Sequence, residues 1–127
     1  MARTAITKTD IVEGGINTAS GAVAVDPTNG HIINPVAGLQ APTIGELLLR
    51  VTNTFAGTKT VTIKAGVNPP SSLAPKGDLV VSVPASTGDM LIPISPGRHT
   101  QKDGSIWIDI AAGMTGNIAL VRLVPWI

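Results

Sequence analysis

The residues best suited to acid–base or metal chemistry in this chain of 127 residues are its two histidines, His31 and His99. A metal centre needs three or four convergent ligands, and a nucleophilic triad needs a hydroxyl or thiol held against its base. Asp103 is close enough to His99 to share a loop with it, but no third ligand or nucleophile stands at a readable spacing, and both histidines read as solvated loop residues. Gly57-Thr58-Lys59-Thr60 has the residue types of a phosphate loop. That loop, however, requires Gly-x4-Gly-Lys-Ser/Thr between a strand and a helix, and here the order differs and a strand follows. Gly14-Gly15 reads as a flexible joint, and Arg98 beside His99 as an ordinary solvated turn. No catalytic, cofactor-binding or metal-ligating residue emerges, so the chain is expected not to be an enzyme and to need no cofactor.

Composition narrows the partners. Nine basic and eight acidic residues leave a net charge of +1, which provides no electrostatic footprint for nucleic acid or an acidic membrane. Aromatic platforms for bases or sugars are scarce, since Phe55, Trp107 and Trp126 are the only aromatic residues. Charged residues make up 13%, about half the usual share for a soluble domain, so part of the surface is expected to be covered by other subunits. The absence of cysteine excludes a disulfide framework and leaves the redox compartment open. Neither an export signal nor an uninterrupted apolar run of about 18 residues is present, so the expectation is a soluble protein used without export.

The elements that must position these residues read as strands. Residues 47–53 and 58–64 alternate, with Leu47, Leu49, Val51, Val61 and Ile63 on one face and Arg50, Thr52, Thr60, Thr62 and Lys64 on the other, and are expected to pair as a hairpin. Thr43 three residues before Glu46 resembles a capping box, but Gly45 and β-branched Val51-Thr52 favour the strand over a helix. Residues 79–83, 90–94, 105–110 and 118–123 are further short apolar strands between Gly and Pro breakers, and Pro93 marks an edge or a bulge. Val61, Ile63, Val81, Ile106, Ile108 and Val121 are the expected core. The fold class is all-β: a single β-sandwich, jelly-roll-like or β-barrel domain over residues 43–127, with residues 1–42 an extended N-terminal arm containing a small hairpin at Asn29-Gly30. The other reading of residues 1–42 is a first pair of sandwich strands. Between Gly14 and Gly45 the only charge is Asp26, so the segment is too apolar for a solvated tail and needs a surface to lie on.

Several phrases carry a resemblance. They are Arg50-Val51-Thr52-Asn53-Thr54, Val61-Thr62-Ile63-Lys64-Ala65-Gly66, residues 79–85, residues 94–109 and Ala119-Leu120-Val121-Arg122-Leu123. Spanning roughly residues 46–125, they resemble the small capsid decoration, or cement, proteins of tailed bacteriophages. The resemblance implies a virion structural protein, made in the host cytoplasm, that sits on the capsid exterior and clamps neighbouring subunits of the major capsid protein. It also implies a homo-oligomer, most often a trimer, with terminal arms reaching across neighbours and no nucleic acid, membrane or small-molecule substrate as partner. Ile6, Ile11, Val12, Ile16 and Trp126 are the expected subunit-contact residues. The alternative is a glycan-binding β-sandwich adhesion module on a phage head or tail, which should expose Trp107 or Trp126 in a groove.

Overall fold

The computed structural model describes residues 3–6, 8–11, 21–34, 46–66, 77–94, 99, 101 and 105–123. The elements whose bounds lie among them are strands: β1 (Thr4–Ala5), β2 (Lys8–Ile11), β3 (Val23–Ala24), β4 (His31–Ile33), β5 (Glu46–Asn53), β6 (Lys59–Ile63), β7 (Leu79–Val83), β8 (Gly88–Ile94), β9 (Ile106–Ile110) and β10 (Asn117–Leu123). Sheet A has the order β1-β4-β9-β6-β7 and sheet B the order β2-β10-β5-β8, with β3 also paired to β10. No pairing among the described strands joins the sheets into a barrel. A single core lies between them, built by Ile33, Val61, Ile63, Val83, Ile106, Ile108 and Ile110 from sheet A and by Leu47, Leu49, Val51, Ile92, Ile94, Ile118 and Leu120 from sheet B. The architecture is an all-β sandwich.

Alternation places the side chains as the sequence implies. In β9 the three isoleucines are buried, while Trp107 and Asp109 face outward. The expected core residues Val61, Ile63, Ile106 and Ile108 are inside. Val81 packs against the core but is only half-buried. Val121 is buried from the opposite face of β10, since Ile118 and Leu120 take the inward positions.

The expected hairpin of residues 47–53 and 58–64 does not form. β5 pairs with β10 and β8 in sheet B, whereas β6 pairs with β7 and β9 in sheet A. Their apolar faces do meet, but across the sandwich instead of side by side. Asn53 organises the crossover. Its buried amide nitrogen donates to the carbonyls of Gly57, Val83 and Pro84 at 3.0, 3.2 and 3.1 Å, and its side-chain oxygen accepts the Phe55 N–H at 2.9 Å. A polar side chain satisfied this fully holds the end of sheet B against the end of β7 in sheet A.

Pro93 does sit on an edge strand, and the hydrogen-bond phase explains why it is tolerated. The Thr54 N–H donates to the Thr115 carbonyl at 2.9 Å, so Leu48, Arg50 and Thr52 direct their backbone groups to β10, and residues 47, 49, 51 and 53 direct theirs to β8. Asp89, Leu91 and Pro93 therefore turn their backbone groups away from the sheet. A residue without an N–H costs no ladder bond there.

The described strands of residues 1–42 belong to this sandwich, and the expected hairpin at Asn29-Gly30 does not form, since β3 pairs with β10 and β4 with β1 and β9. β1 pairs parallel with β4 on the edge of sheet A, and β2 pairs parallel with β10 in sheet B. Between them the chain crosses from one sheet to the other over Ile6, whose side chain is buried in the core. Ile6 is therefore not available as a subunit contact. Within residues 21–34, the described part of that apolar segment, Ile33 lies in the core and Val23 and Val25 pack against it.

Candidate functional site

The densest polar constellation joins the N-terminal strand to the turn ahead of β4. Asp26 opens a turn through Pro27-Thr28-Asn29-Gly30, with the Gly30 N–H donating to its carbonyl at 2.8 Å. The Asp26 carboxylate accepts the backbone N–H groups of Thr28 and Asn29 at 3.2 and 3.1 Å, the Asn29 side-chain amide at 3.2 Å and the Thr4 hydroxyl at 2.6 Å. These donors, the Thr4 hydroxyl first, hold its carboxyl below the usual carboxylate range. Gly30 is required twice over: its φ is +72°, and a Cβ there would lie 2.6 Å from an Arg3 guanidinium nitrogen and 2.8 Å from the Ile108 carbonyl oxygen.

His31, the first residue of β4, is fully buried beneath this turn. Its Nε2 accepts the Asp26 N–H at 2.9 Å, which leaves Nδ1 to carry the proton and donate to the Thr4 carbonyl at 3.2 Å. Burial pushes its pKa down, opposed by the bond to the Thr4 carbonyl and by the charge of Asp26. The expectation of a solvated loop histidine is thus overturned. The imidazole touches the carbonyl of Thr4 and not its hydroxyl, and that hydroxyl is committed to Asp26. The imidazole therefore faces no hydroxyl, and the carboxylate that the Thr4 hydroxyl does face is a weakened base, held below its usual range by its donors; the arrangement ties three chain segments together.

Arg3 extends the cluster over sheet A. Its guanidinium donates to the Asp109 carboxylate at 2.7 Å and to the Ile108 carbonyl at 3.1 Å, and it lies 5.0 Å from the centroid of the Trp107 ring. Trp107 is 36% exposed, and its indole N–H donates to the Ser105 hydroxyl at 3.1 Å. Around it the outer face of sheet A carries Ile32, Thr60, Thr62, Lys64 and Val80. Lys64 pairs with Asp78 at 3.0 Å, and the Ala65 N–H, the larger influence, joins it in holding the Asp78 carboxyl below its ordinary range. The outer face of sheet B presents Leu48, Leu91 and Pro93, with Arg50 paired to Asp89 at 2.7 Å.

The remaining candidates divide as follows. His99 is buried, and its Nδ1 lies 3.0 Å from the Lys64 carbonyl, so it too is no solvated loop residue. The Gly57-Thr58-Lys59-Thr60 phrase runs from the crossover into β6, with the Lys59 ammonium 4.6 Å from the Phe55 ring centroid. The backbone of Ile11 pairs with Leu123. Gly14, Gly15, Val12, Ile16, Arg98, Asp103 and Trp126 lie outside the described residues. Asn53 is the structural residue that sequence reasoning missed. An Asn closing an apolar strand before a Gly-containing turn was its signal, though that signal does not name its partners across the sandwich.

Among the described residues no group of three or more His, Asp or Glu is placed to hold a metal ion, and no helix is long and apolar enough to cross a membrane. Comparison with protein-family models, with curated proteins and with solved structures finds no match to this chain.

Proposed function

We propose that this chain is a virion structural protein that decorates the outside of a tailed-bacteriophage capsid, where it binds the major capsid protein and clamps neighbouring subunits as a homo-oligomer, a trimer. The observation that carries the reading is the apolar surface on the outward faces of both sheets. Val80 on sheet A and Leu91 on sheet B are each 60% exposed, on faces where Arg3 is paired with Asp109, Lys64 with Asp78 and Arg50 with Asp89. Projecting apolar side chains beside matched charges are suited to burial in an interface with another protein. The resemblance over residues 46–125 supplies the identity of the protein to be covered. Stabilisation then follows by mass action, because a protein that binds the assembled shell in preference to free subunits shifts the equilibrium toward the shell. The test is to add the purified protein to undecorated heads and follow co-sedimentation and the temperature at which the heads open. Saturable binding with a raised opening temperature is expected, and no binding at any concentration overturns the role.

Trp107 favours a second reading, the glycan-binding module, because an exposed aromatic on a sheet face is what a sugar ring stacks on. Two features weaken it: the Arg3 guanidinium already lies over the ring, and no second aromatic stands beside Trp107 on the described part of that face. Quenching or a shift of tryptophan fluorescence with host-surface polysaccharide would transfer the assignment to this reading.

A further inference from the structure

Among the described residues nothing pairs with the outer edges of β7 and β8, and the two edges are protected unequally. β8 carries Pro93 and the Arg50–Asp89 ion pair beside it. β7, Leu79-Val80-Val81-Ser82-Val83, carries no charge, no proline and no bulge, although natural edge strands ordinarily carry one of these against unwanted pairing. Its hydrogen-bond phase can be fixed. The Lys64 N–H donates to the Trp107 carbonyl at 2.9 Å and the Ala111 N–H to the Thr60 carbonyl at 3.0 Å, so Thr60, Thr62 and Lys64 serve β9, and Lys59, Val61 and Ile63 serve β7. Opposite them stand Val83, Val81 and Leu79. Val80 and Ser82 therefore direct two N–H donors and two carbonyl acceptors away from the sheet, and no described contact takes them up. Leu79 and Val81 face inward and pack on the core, yet remain only half-buried because the sandwich ends at this strand.

We propose that β7 pairs antiparallel with β7 of a second copy, about a two-fold axis at Val81, joining the two A sheets into one. In this register Val80 stands opposite the partner's Ser82 and Ser82 opposite the partner's Val80. Those are hydrogen-bonded pairs, so all the outward donors and acceptors of both strands are satisfied at once. Val81 meets the partner's Val81, and Leu79 meets the partner's Val83, which extends the apolar core across the junction. No like charges are apposed: the nearest charge, Asp78, falls opposite the partner's Pro84 and is already paired with Lys64. The sequence of the strand is thus self-complementary in hydrogen bonds, in apolar faces and in charge, which is why the occupant is a second copy. The contact has two-fold symmetry, so it is additional to a three-fold trimer. It rests on the edge geometry and stands or falls apart from the decoration role.

The experiment measures mass by analytical ultracentrifugation and amide exchange by NMR over a concentration series reaching about 1 mM, the weak end of specific association. Wild type should move from monomer toward dimer, or from its smaller oligomer toward twice that mass, while the Val80 and Ser82 amides become protected in step and those of Asp89 and Leu91 do not. Val80→Pro removes an outward N–H without touching the β6 ladder, as Pro93 does in β8, and should weaken association at least about tenfold. Val80→Lys is the second variant, should the first fail to fold, with the same expectation from an edge charge. Val80 and Ser82 amides that stay unprotected throughout overturn the proposal, as does complete protection in a species whose mass is that of a monomer, which would mean that the edge is covered within one chain. Association unchanged in the folded variant overturns it equally.

Discussion

His31→Ala tests the polar cluster most directly, because each part of the imidazole has an assigned task. Removing the ring leaves the Asp26 N–H and the Thr4 carbonyl without their partners, and it empties a fully buried site. Both bonds are part-buried, so each lost partner costs about 1 kcal/mol, at the low end for an unsatisfied group, and the vacated volume adds about 1 kcal/mol more. The sum of about 3 kcal/mol corresponds to a fall of about 12 °C in melting temperature for a chain of this size. A solvated histidine would change stability by no more than about 0.5 kcal/mol.

The same residue carries a pH signature. Its folded pKa is lowered, so between the folded value and the unfolded one of about 6.5 the unfolded chain binds more protons. The contribution of His31 is therefore complete above about pH 6.5 and is lost as pH falls from there through the folded value, at no more than about 1.4 kcal/mol per pH unit. The charged groups facing it, Asp26 and Arg3, oppose each other in their effect on the imidazole. Urea denaturation of wild type and variant at pH 7.5 and pH 5.5 separates the two contributions. Wild type should lose stability on acidification and the variant should lose less. Equal stability of the two proteins at pH 7.5, or equal acid sensitivity, would refute the buried, doubly bonded histidine.

The other predictions follow from the same geometry. Gly30→Ala should destabilise by about 1–3 kcal/mol in thermal melts, since it imposes strain at positive φ and drives a methyl group into Arg3 and the Ile108 carbonyl. Ile108→Ala and Ile63→Ala, both at fully buried positions, should each cost about 2–5 kcal/mol, and unchanged melting of both would put the wrong face inward. Deleting residues 2–20 removes β1, β2 and the buried Ile6, so it should lower the melting temperature of the whole chain; an unchanged melt would show that these strands add nothing to the sandwich. Arg3→Ala should shift the Trp107 fluorescence maximum while leaving the fold intact, because it removes the cation beside the ring, a partly exposed ion pair and one hydrogen bond to the Ile108 carbonyl.

Much of the fold was legible in period-two alternation. The inward sets of β5, β6 and β9 and the outward Trp107 and Asp109 follow from it, and the edge position of Pro93 follows from its missing N–H. Pairing did not follow, because Leu47, Leu49 and Val51 meet Val61 and Ile63 on one apolar face whether the strands lie side by side or oppose each other across a core. What decides between those arrangements is the Asn53 amide and its partners on β7 and beyond, which are distant in sequence. His31 was more legible than the solvated reading allowed: it shares the parity of buried Ile33, two residues on. Its partners Thr4 and Asp26 come together through the parallel pairing of β1 with β4, which no local pattern specifies.

The low charge of the chain has a structural counterpart that bears on what its surface can do. Arg3 with Asp109, Arg50 with Asp89 and Lys64 with Asp78 pair charges on or beside the outward faces of the sheets, so these described charges offset one another. Exposed pairs of this kind add at most about 1 kcal/mol each to stability. Their larger effect is on approach: a face whose charges are matched internally neither steers nor repels an incoming protein, and association there is governed by shape and apolar area instead of long-range attraction. Specificity then has to come from strand register and from the position of a few projecting side chains, Val80, Leu91 and Trp107. Binding through such faces should accordingly depend only weakly on ionic strength between about 50 and 500 mM salt, whereas a partner held by charge would be released across that range as the screening length shrinks.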